Sequence, residues 1–285
     1  MNNKLTVVIL TFNEEIHIKR AINNVLDLAD KVIVLDSYSQ DNTAEIAKGL
    51  GVEIIFRKFD NYKNQRQYAI DYCKDLTEWV LFLDADEYLL DELKNEIDTE
   101  IEDKNTFGYY LPRRFIFMDK WIKYGGYYPC YLLRLFRPKF AVIDGIINEH
   151  VVVDGKTKTL KYDFVDHNLK SIESWIDKHN KYTNFEAENF WLLKHENMKR
   201  KKFNFRVQAD RKQWIKQKIW NQCPLLLRPF LYFIYRYFVL LGFLDGRTGF
   251  IYHLLQGGWN YFLVDVKYLE MRSQKQKNIS LESGS

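Results

Sequence analysis

Over the first hundred residues, short apolar runs alternate with segments whose apolar positions recur every three or four residues. The runs at 5–10, 32–35, 52–56 and 79–83 read as strands, and those at about 14–26, 41–48, 61–73 and 89–101 as helices. Thr43, Ile46, Ala47 and Leu50 show the spacing of an inward helix face. The strand runs are apolar without alternation, as in strands buried on both faces of a parallel sheet. Repeated strand–helix units of this kind predict an α/β fold. From 106 to 162 the texture changes to aromatic and β-branched runs broken by Gly125-Gly126, Pro129, Pro138 and Asp154-Gly155, which predicts hairpins and an antiparallel extension. Helical periodicity returns after about 170. The expected division is therefore 1–170 and a helical region 171–280, with 281–285 set aside as an appended tail.

Polar clusters fall where the strands end. In open α/β sheets, ligands gather at the carboxyl ends of the strands. The run 79–83 leads directly into Asp84-Ala85-Asp86-Glu87, and hard oxygen ligands there suit Mg²⁺ or Mn²⁺ carrying a phosphate. The first strand leads into Thr11-Phe12-Asn13-Glu14-Glu15 and the second into Asp36-Ser37-Tyr38-Ser39-Gln40-Asp41. Thr11 is read as a nucleotide contact and Asp36 as an acceptor for a base N–H or ribose hydroxyl, with Asn13, Ser39 and Asp41 as alternative helix caps. Lys63, Arg66 and Arg134 are candidate cationic partners for a diphosphate. Neither a G-x-G-x-x-G dinucleotide turn nor a G-x-x-x-x-G-K-[ST] phosphate loop occurs, which disfavours a nicotinamide dehydrogenase and a P-loop enzyme.

With 285 residues, 47% of them hydrophobic, the chain can bury a large core. Its three cysteines, Cys73, Cys130 and Cys223, lack metal-ligand spacing and fit a reducing compartment. The first strand begins at once, with no room for a basic and apolar leader, so a cytoplasmic location is expected. Net charge is only +4, yet residues 194–220 carry ten Lys or Arg against Glu196 and Asp210, about +8 on that segment alone. An aromatic, apolar stretch from Pro224 to Leu244 follows, interrupted by Arg228, Pro229 and Arg236 and too short between charges to span a bilayer. Basic and aromatic surfaces in succession predict an element lying on an anionic membrane, with core packing or a homo-oligomer interface as alternatives. No nucleic-acid recognition motif accompanies the charge.

Taken in order, Thr11-Phe12-Asn13-Glu14, Asp36-Ser37-x-Ser39-x-Asp41, Lys63-Asn64-Gln65-Arg66 and Leu83-Asp84-Ala85-Asp86-Glu87 resemble the motifs of family 2 glycosyltransferases of the GT-A fold. A second set resembles the branch holding the lipopolysaccharide-core β-glucosyltransferases: Trp121 to Pro129, Leu133-Arg134-Leu135-Phe136-Arg137, Asn148-Glu149-His150 and Asp166-His167. The resemblance implies a mostly parallel sheet with helices on both faces. It also implies inverting transfer of a sugar from a nucleotide donor, UDP-linked by expectation, to a lipid-linked or lipopolysaccharide-type glycan on the cytoplasmic face of the inner membrane. Donor contacts would fall on Thr11, Phe12, Asn13, Glu14, Asp36, Ser37, Lys63, Arg66, Asp84, Ala85 and Arg134, and a divalent cation (Mn or Mg) on Asp86 and Asp84. Glu149 is the expected base, by its place after an apolar segment. Cys130 and Asn148 depart from the family pattern, where an Asp and a His are usual. Two rival readings stay open: a nucleotidyltransferase using the same acids, and a non-catalytic scaffold.

Overall fold

The computed structural model describes residues 3–144, 150–195 and 222–282. Glu149 and the basic segment beyond His195 lie outside the described residues. The rest falls into two compact units, one within Met1–Trp121 and Tyr127–Leu169, the other within Ile122–Gly126 and Lys170–Ser285.

The first unit runs β1 (Asn3–Thr11), α1 (Glu15–Val25), β2 (Lys31–Asp36), α2 (Thr43–Gly49), β3 (Glu53–Phe56), α3 (Tyr62–Cys73), β4 (Thr77–Asp84), β5 (Glu87–Leu89) and α4 (Asp91–Glu100). It continues through β6 (Gly108–Phe117), β7 (Lys120–Trp121), β8 (Tyr131–Phe136), β9 (Ala141–Asp144), β10 (His150–Val153), β11 (Thr157–Thr159) and β12 (Phe164–His167). One sheet has the path β3-β2-β1-β4-β8-β6-β12-β5, with β7 and β11 also paired to β6, and β9 and β10 form a separate hairpin. The strands β3, β2, β1 and β4 are mutually parallel. Such neighbours need crossovers, which α1, α2 and α3 supply.

Both faces of this sheet are covered, which is why its strands read as unbroken apolar runs. Leu5, Val7 and Ile9 of β1 pack on one face with Ile18, Ile22 and Val25 of α1, together with Trp79, Leu81 and Leu83 of β4. Val8, Val80 and Phe82 point the other way, onto Ala69, Ile70 and Cys73 of α3. The two clusters are the two sides of a strand's twofold alternation. The extension is less antiparallel than the turn signals predict: β6 pairs antiparallel with β8, but β11 and β12 pair parallel with β6.

In the second unit, α5 (Ile172–His195) packs on α8 (Asn260–Glu282). Phe190 and Ala187 meet Val264 and Tyr268 there, and the Lys267 ammonium donates to the Asn180 carbonyl at 2.7 Å and to Thr183 at 2.8 Å. α8 runs on to Glu282, through the start of the segment set aside as a tail. Between these helices, α6 (Arg228–Ile234) continues into a π-helical turn, Tyr235–Val239; Leu241 takes a left-handed φ of 60°, and α7 (Gly246–His253) follows. Residues 122–126 belong to this unit, although the division read from the sequence puts them within 1–170. Asp245 accepts from the backbone N–H groups of Lys123 (3.2 Å) and Tyr124 (2.9 Å), and Arg236 Nε donates to the Gly125 carbonyl at 2.9 Å. Gly125 has φ +68°, and a Cβ there would fall inside the buried His253 imidazole, so glycine is required on both counts.

Candidate active site

The register of the parallel strands brings the predicted acids together. Thr11 is level with Asp36 across β1 and β2, and Leu10 is level with Asp84 across β1 and β4. Three strand ends are thus flush, and the loops leaving them share one edge of the sheet.

Two of these loops are laced to each other. The backbone N–H groups of Asn13, Glu14 and Glu15 donate to Ser39 Oγ (2.8 Å), Thr43 Oγ1 (2.8 Å) and Asp41 Oδ2 (3.1 Å). The unsatisfied donors at the start of α1 are therefore capped by the loop after β2 rather than by Asn13. Asn13 instead takes φ 55°, and its side-chain oxygen accepts from Gln40 N at 2.8 Å. Glu14 accepts from His17 Nδ1 at 2.6 Å, while His17 Nε2 accepts from Leu169 N at 2.8 Å, which places the imidazole proton on Nδ1.

Asp36 is the centre of this lacing. The residue is 0% exposed, and its carboxylate accepts from Thr11 Oγ1 (2.8 Å), Ser39 Oγ (2.6 Å) and Ser39 N (2.7 Å). Through those bonds Asp36 and the Thr11 hydroxyl hold the loop after β2. Ser37 lies one residue further out and accepts from Gln65 Nε2 at 3.2 Å, which ties it to α3. Exposed aromatic groups crown the same strand ends: Phe12 after β1, and Tyr38 beside Phe56 with ring centroids 5.6 Å apart. Tyr38 has φ 62°, a costly conformation for a bulky residue. The pairing of Tyr38 with Phe56 depends on β2 lying beside β3, which local pattern does not reveal.

Asp84 and Asp86 are held by different means. Asp84 faces two guanidinium groups, Arg66 at 3.3 Å and Arg134 at 3.0 Å, and its own N–H donates to Glu87 Oε2 at 2.8 Å. Arg134 also donates to Glu87 Oε1 at 2.6 Å. Burial pushes the Glu87 carboxyl up, with Arg134 opposing that shift; burial also works against charge on Arg134, but Glu87 and Asp84 outweigh it and hold the guanidinium protonated. Arg134 is buried and engaged with two carboxylates, and so positions Asp84. Arg66 and Lys63 are only half-buried, on the first turns of α3, whose cap Asn61 accepts from Asn64 N at 2.8 Å. Ala85, between the two acids, turns into the core.

Asp86 is half-buried, and its carboxylate accepts from Asn168 Nδ2 at 3.0 Å. Its carbonyl accepts from Arg20 (3.0 Å) and from His167 N (3.0 Å), while Arg20 also donates to the His167 carbonyl at 2.7 Å. The antiparallel pairing of β5 with β12 brings these groups together. Arg20, Asn168 and β5 escape a reading of the sequence, because a three-residue strand has no periodicity and the contacts span 66 to 147 residues. His167 pairs with Asp119 at 3.2 Å. No group of three His, Cys, Asp or Glu with metal-holding geometry occurs among the described residues. Two carboxylates alone still fit a hard cation that completes its shell with water and substrate phosphate oxygens, as Mg²⁺ commonly does.

The glycosyl transferase family 2 domain matches residues 6–154 of this chain. An uncharacterised glycosyltransferase of Rickettsia typhi is 33% identical over 262 residues, covering 87% of this chain and 81% of the relative. The SunS glycosyltransferase of Bacillus subtilis is 39% identical over 99 residues, 33% of this chain and 22% of SunS. Among solved structures, glucosyl-3-phosphoglycerate synthase from Mycobacterium tuberculosis in complex with Mn²⁺ and UDP-glucose superposes on 40% of this chain and 44% of its own, at 20% identity and a TM-score of 0.33. The chain belongs to glycosyl transferase family 2. Its α/β architecture, with a mostly parallel sheet and a helical C-terminal region, is consistent with the GT-A fold.

Proposed function

We propose that this glycosyltransferase moves a sugar, with inversion, from a UDP-linked donor to a lipid-linked glycan of the lipopolysaccharide-core type, with a divalent cation, on the cytoplasmic face of the membrane. The observation that carries the donor half is the flush alignment of the ends of β1, β2 and β4, which gathers Thr11, Asp36 and Asp84 at one edge. Asp36, Thr11 and Ser39 keep the first two loops rigid, leaving Phe12 and the Tyr38–Phe56 pair as surfaces against which a base can lie. Asp84 and Asp86 are the residues that would hold Mn²⁺ or Mg²⁺; when bound, the cation offsets the charge that builds on a departing diphosphate. Arg66 stands beside Asp84 and adds positive charge from the protein itself. Inversion needs a base opposite the leaving group, and we assign it to Glu149. The acceptor half rests on the sequence resemblance and on the apolar, aromatic C-terminal unit.

The test is UDP release from a panel of UDP-sugars, with and without Mn²⁺ or Mg²⁺. Release should require the cation, and Asp86→Ala should lower it by about 10²–10³-fold, a loss typical of removing one electrostatic group from an active site, without changing the melting temperature. Undiminished turnover in Asp86→Ala would end the metal assignment. Glu149→Gln should retain UDP binding and lose transfer; transfer at the wild-type rate would move the base elsewhere.

A further inference from the structure

One stretch of the second unit is built inside out. Between residues 225 and 245 the charged side chains are Arg228, Arg236 and Asp245, and all three are buried, at 2%, 3% and 3% exposure. The exposed side chains of the same stretch are apolar, with Tyr235 the one hydroxyl among them. Along α6 and its π turn they recur as Leu227, Phe230–Leu231, Ile234–Tyr235 and Phe238–Val239, one continuous helical face; Leu241, Phe243 and Leu244 extend it past the bend. A helix in water turns its charges out and its leucines in. Here each charged side chain bonds within the protein. Arg228 Nε donates to Asp265 at 2.9 Å, and Asp265 also accepts from Leu226 N at 2.8 Å. Arg236 is held by the Gly125 carbonyl, and Asp245 by two backbone N–H groups.

We infer that this face enters the hydrocarbon layer of a bilayer as a shallow, bent helical insertion. The inference rests on the membrane partner named above and specifies how it is held: by apolar insertion, not by basic charge on an anionic surface. The inversion itself favours lipid, since hydrocarbon is the solvent in which an apolar exterior over inward-turned charges costs least. Length supports it. No single helix among the described residues is long and apolar enough to cross a membrane, but Arg228–Val239 and Gly242–Gln276 meet the hydropathy criterion together, bent by 74°. The first arm, at about 1.5 Å per residue, reaches roughly 18 Å, which is enough for one leaflet and too little for the ~30 Å core. The bend near Leu241 then turns the chain by 74°, away from the direction of the first arm.

Flotation of the full chain with vesicles tests this. Binding to pure phosphatidylcholine vesicles should persist in 0.5 M salt, and brominated acyl chains should quench a tryptophan placed at Phe238. Ile234→Glu with Phe238→Glu should lower binding at least about thirtyfold, with an unchanged melting temperature because both side chains point away from the core. Ile234→Ser with Phe238→Ser is the milder variant if the first is unstable. Binding confined to anionic vesicles and released by salt would overturn insertion while leaving the membrane partner standing. Absence of binding to any vesicle, with a dimer that the same variants split, would overturn both and make the face a contact between copies. UDP-sugar hydrolysis in solution is read separately, so failure of the donor reading would not be mistaken for either.

Discussion

Two buried arginine–carboxylate groups, one in each unit, show the same chemistry put to opposite ends. Arg134 sits between Glu87 and Asp84, and one of its partners, Asp84, keeps 35% of its side chain exposed. Arg228 is enclosed with Asp265, whose side chain is fully buried. In the first unit the arginine braces a carboxylate that still faces outward, and the surrounding strand ends form a site. In the second, the ion pair removes charge from the surface, and the helix that carries it presents only apolar groups outward. A buried ion pair contributes little net stability by itself, but breaking one leaves an uncompensated charge. Its worth lies in what it positions.

That comparison breaks most sharply in the arginines. Arg134→Met and Arg228→Met should each cost about 3–5 kcal/mol in urea unfolding, because Glu87 or Asp265 is left buried and unpaired. The two variants should then part. Arg134→Met should also lose UDP-sugar hydrolysis, since Asp84 loses its brace, whereas Arg228→Met should keep it within about twofold and lose vesicle binding. Adding Asp265→Leu to Arg228→Met should restore most of the stability, as apolar replacement of a whole buried pair commonly does. A cost below about 1 kcal/mol for Arg228→Met would mean that Asp265 finds water or another partner, and the inside-out reading would lose its support.

Asp36 and Asp86 give a smaller contrast within the first unit. Asp36→Ala strands the Thr11 and Ser39 donors and should cost about 1–3 kcal/mol, raising the KM for the donor through a loosened loop. Asp86→Ala removes one accepted hydrogen bond on a half-buried residue and should barely change stability while activity collapses. Equal melting temperatures for the two variants would show that Asp36 is not the organiser described above.

The sequence carries the first unit well because its signals are local. Continuous apolar runs such as 79–83 arise from burial on both faces, and D-x-D stands out where such a run ends. Ordered motifs also led correctly to the family. What local pattern does not carry is direction and distance. Asp36 and Asp84 both follow strands, yet one is turned into a loop of hydroxyls and the other toward guanidinium groups, a difference set by Ser39 and Arg134. Arg20, Asn168 and Gln65 reach the site from α1, the end of β12 and α3, and nothing in their own neighbourhoods marks them. In the second unit the apolar stretch 224–244 was legible as unusual, but which side its arginines take is decided by Asp265 and by the strap at 122–126, far away in the chain.

The smallest effect concerns the thiols, and it reports on the two units separately. Cys73 lies in the core between α3 and the sheet, where burial pushes its thiol up to about 12; Cys223 in the second unit is half-exposed. Thiolate is the reactive form, so at pH 8 roughly one Cys73 in ten thousand is ionised, and the reagent must also wait for the unit to open. An aromatic disulfide reagent should therefore label Cys223 and the half-exposed Cys130 within minutes and leave Cys73 unmodified. Arg134→Met should speed Cys73 labelling by the factor its lost stability implies, whereas Arg228→Met should leave that rate unchanged. If Arg228→Met accelerates Cys73 as much as Arg134→Met does, the two ion pairs report one cooperative structure, and the contrast between a site-bracing pair and a surface-clearing pair reduces to a difference in position.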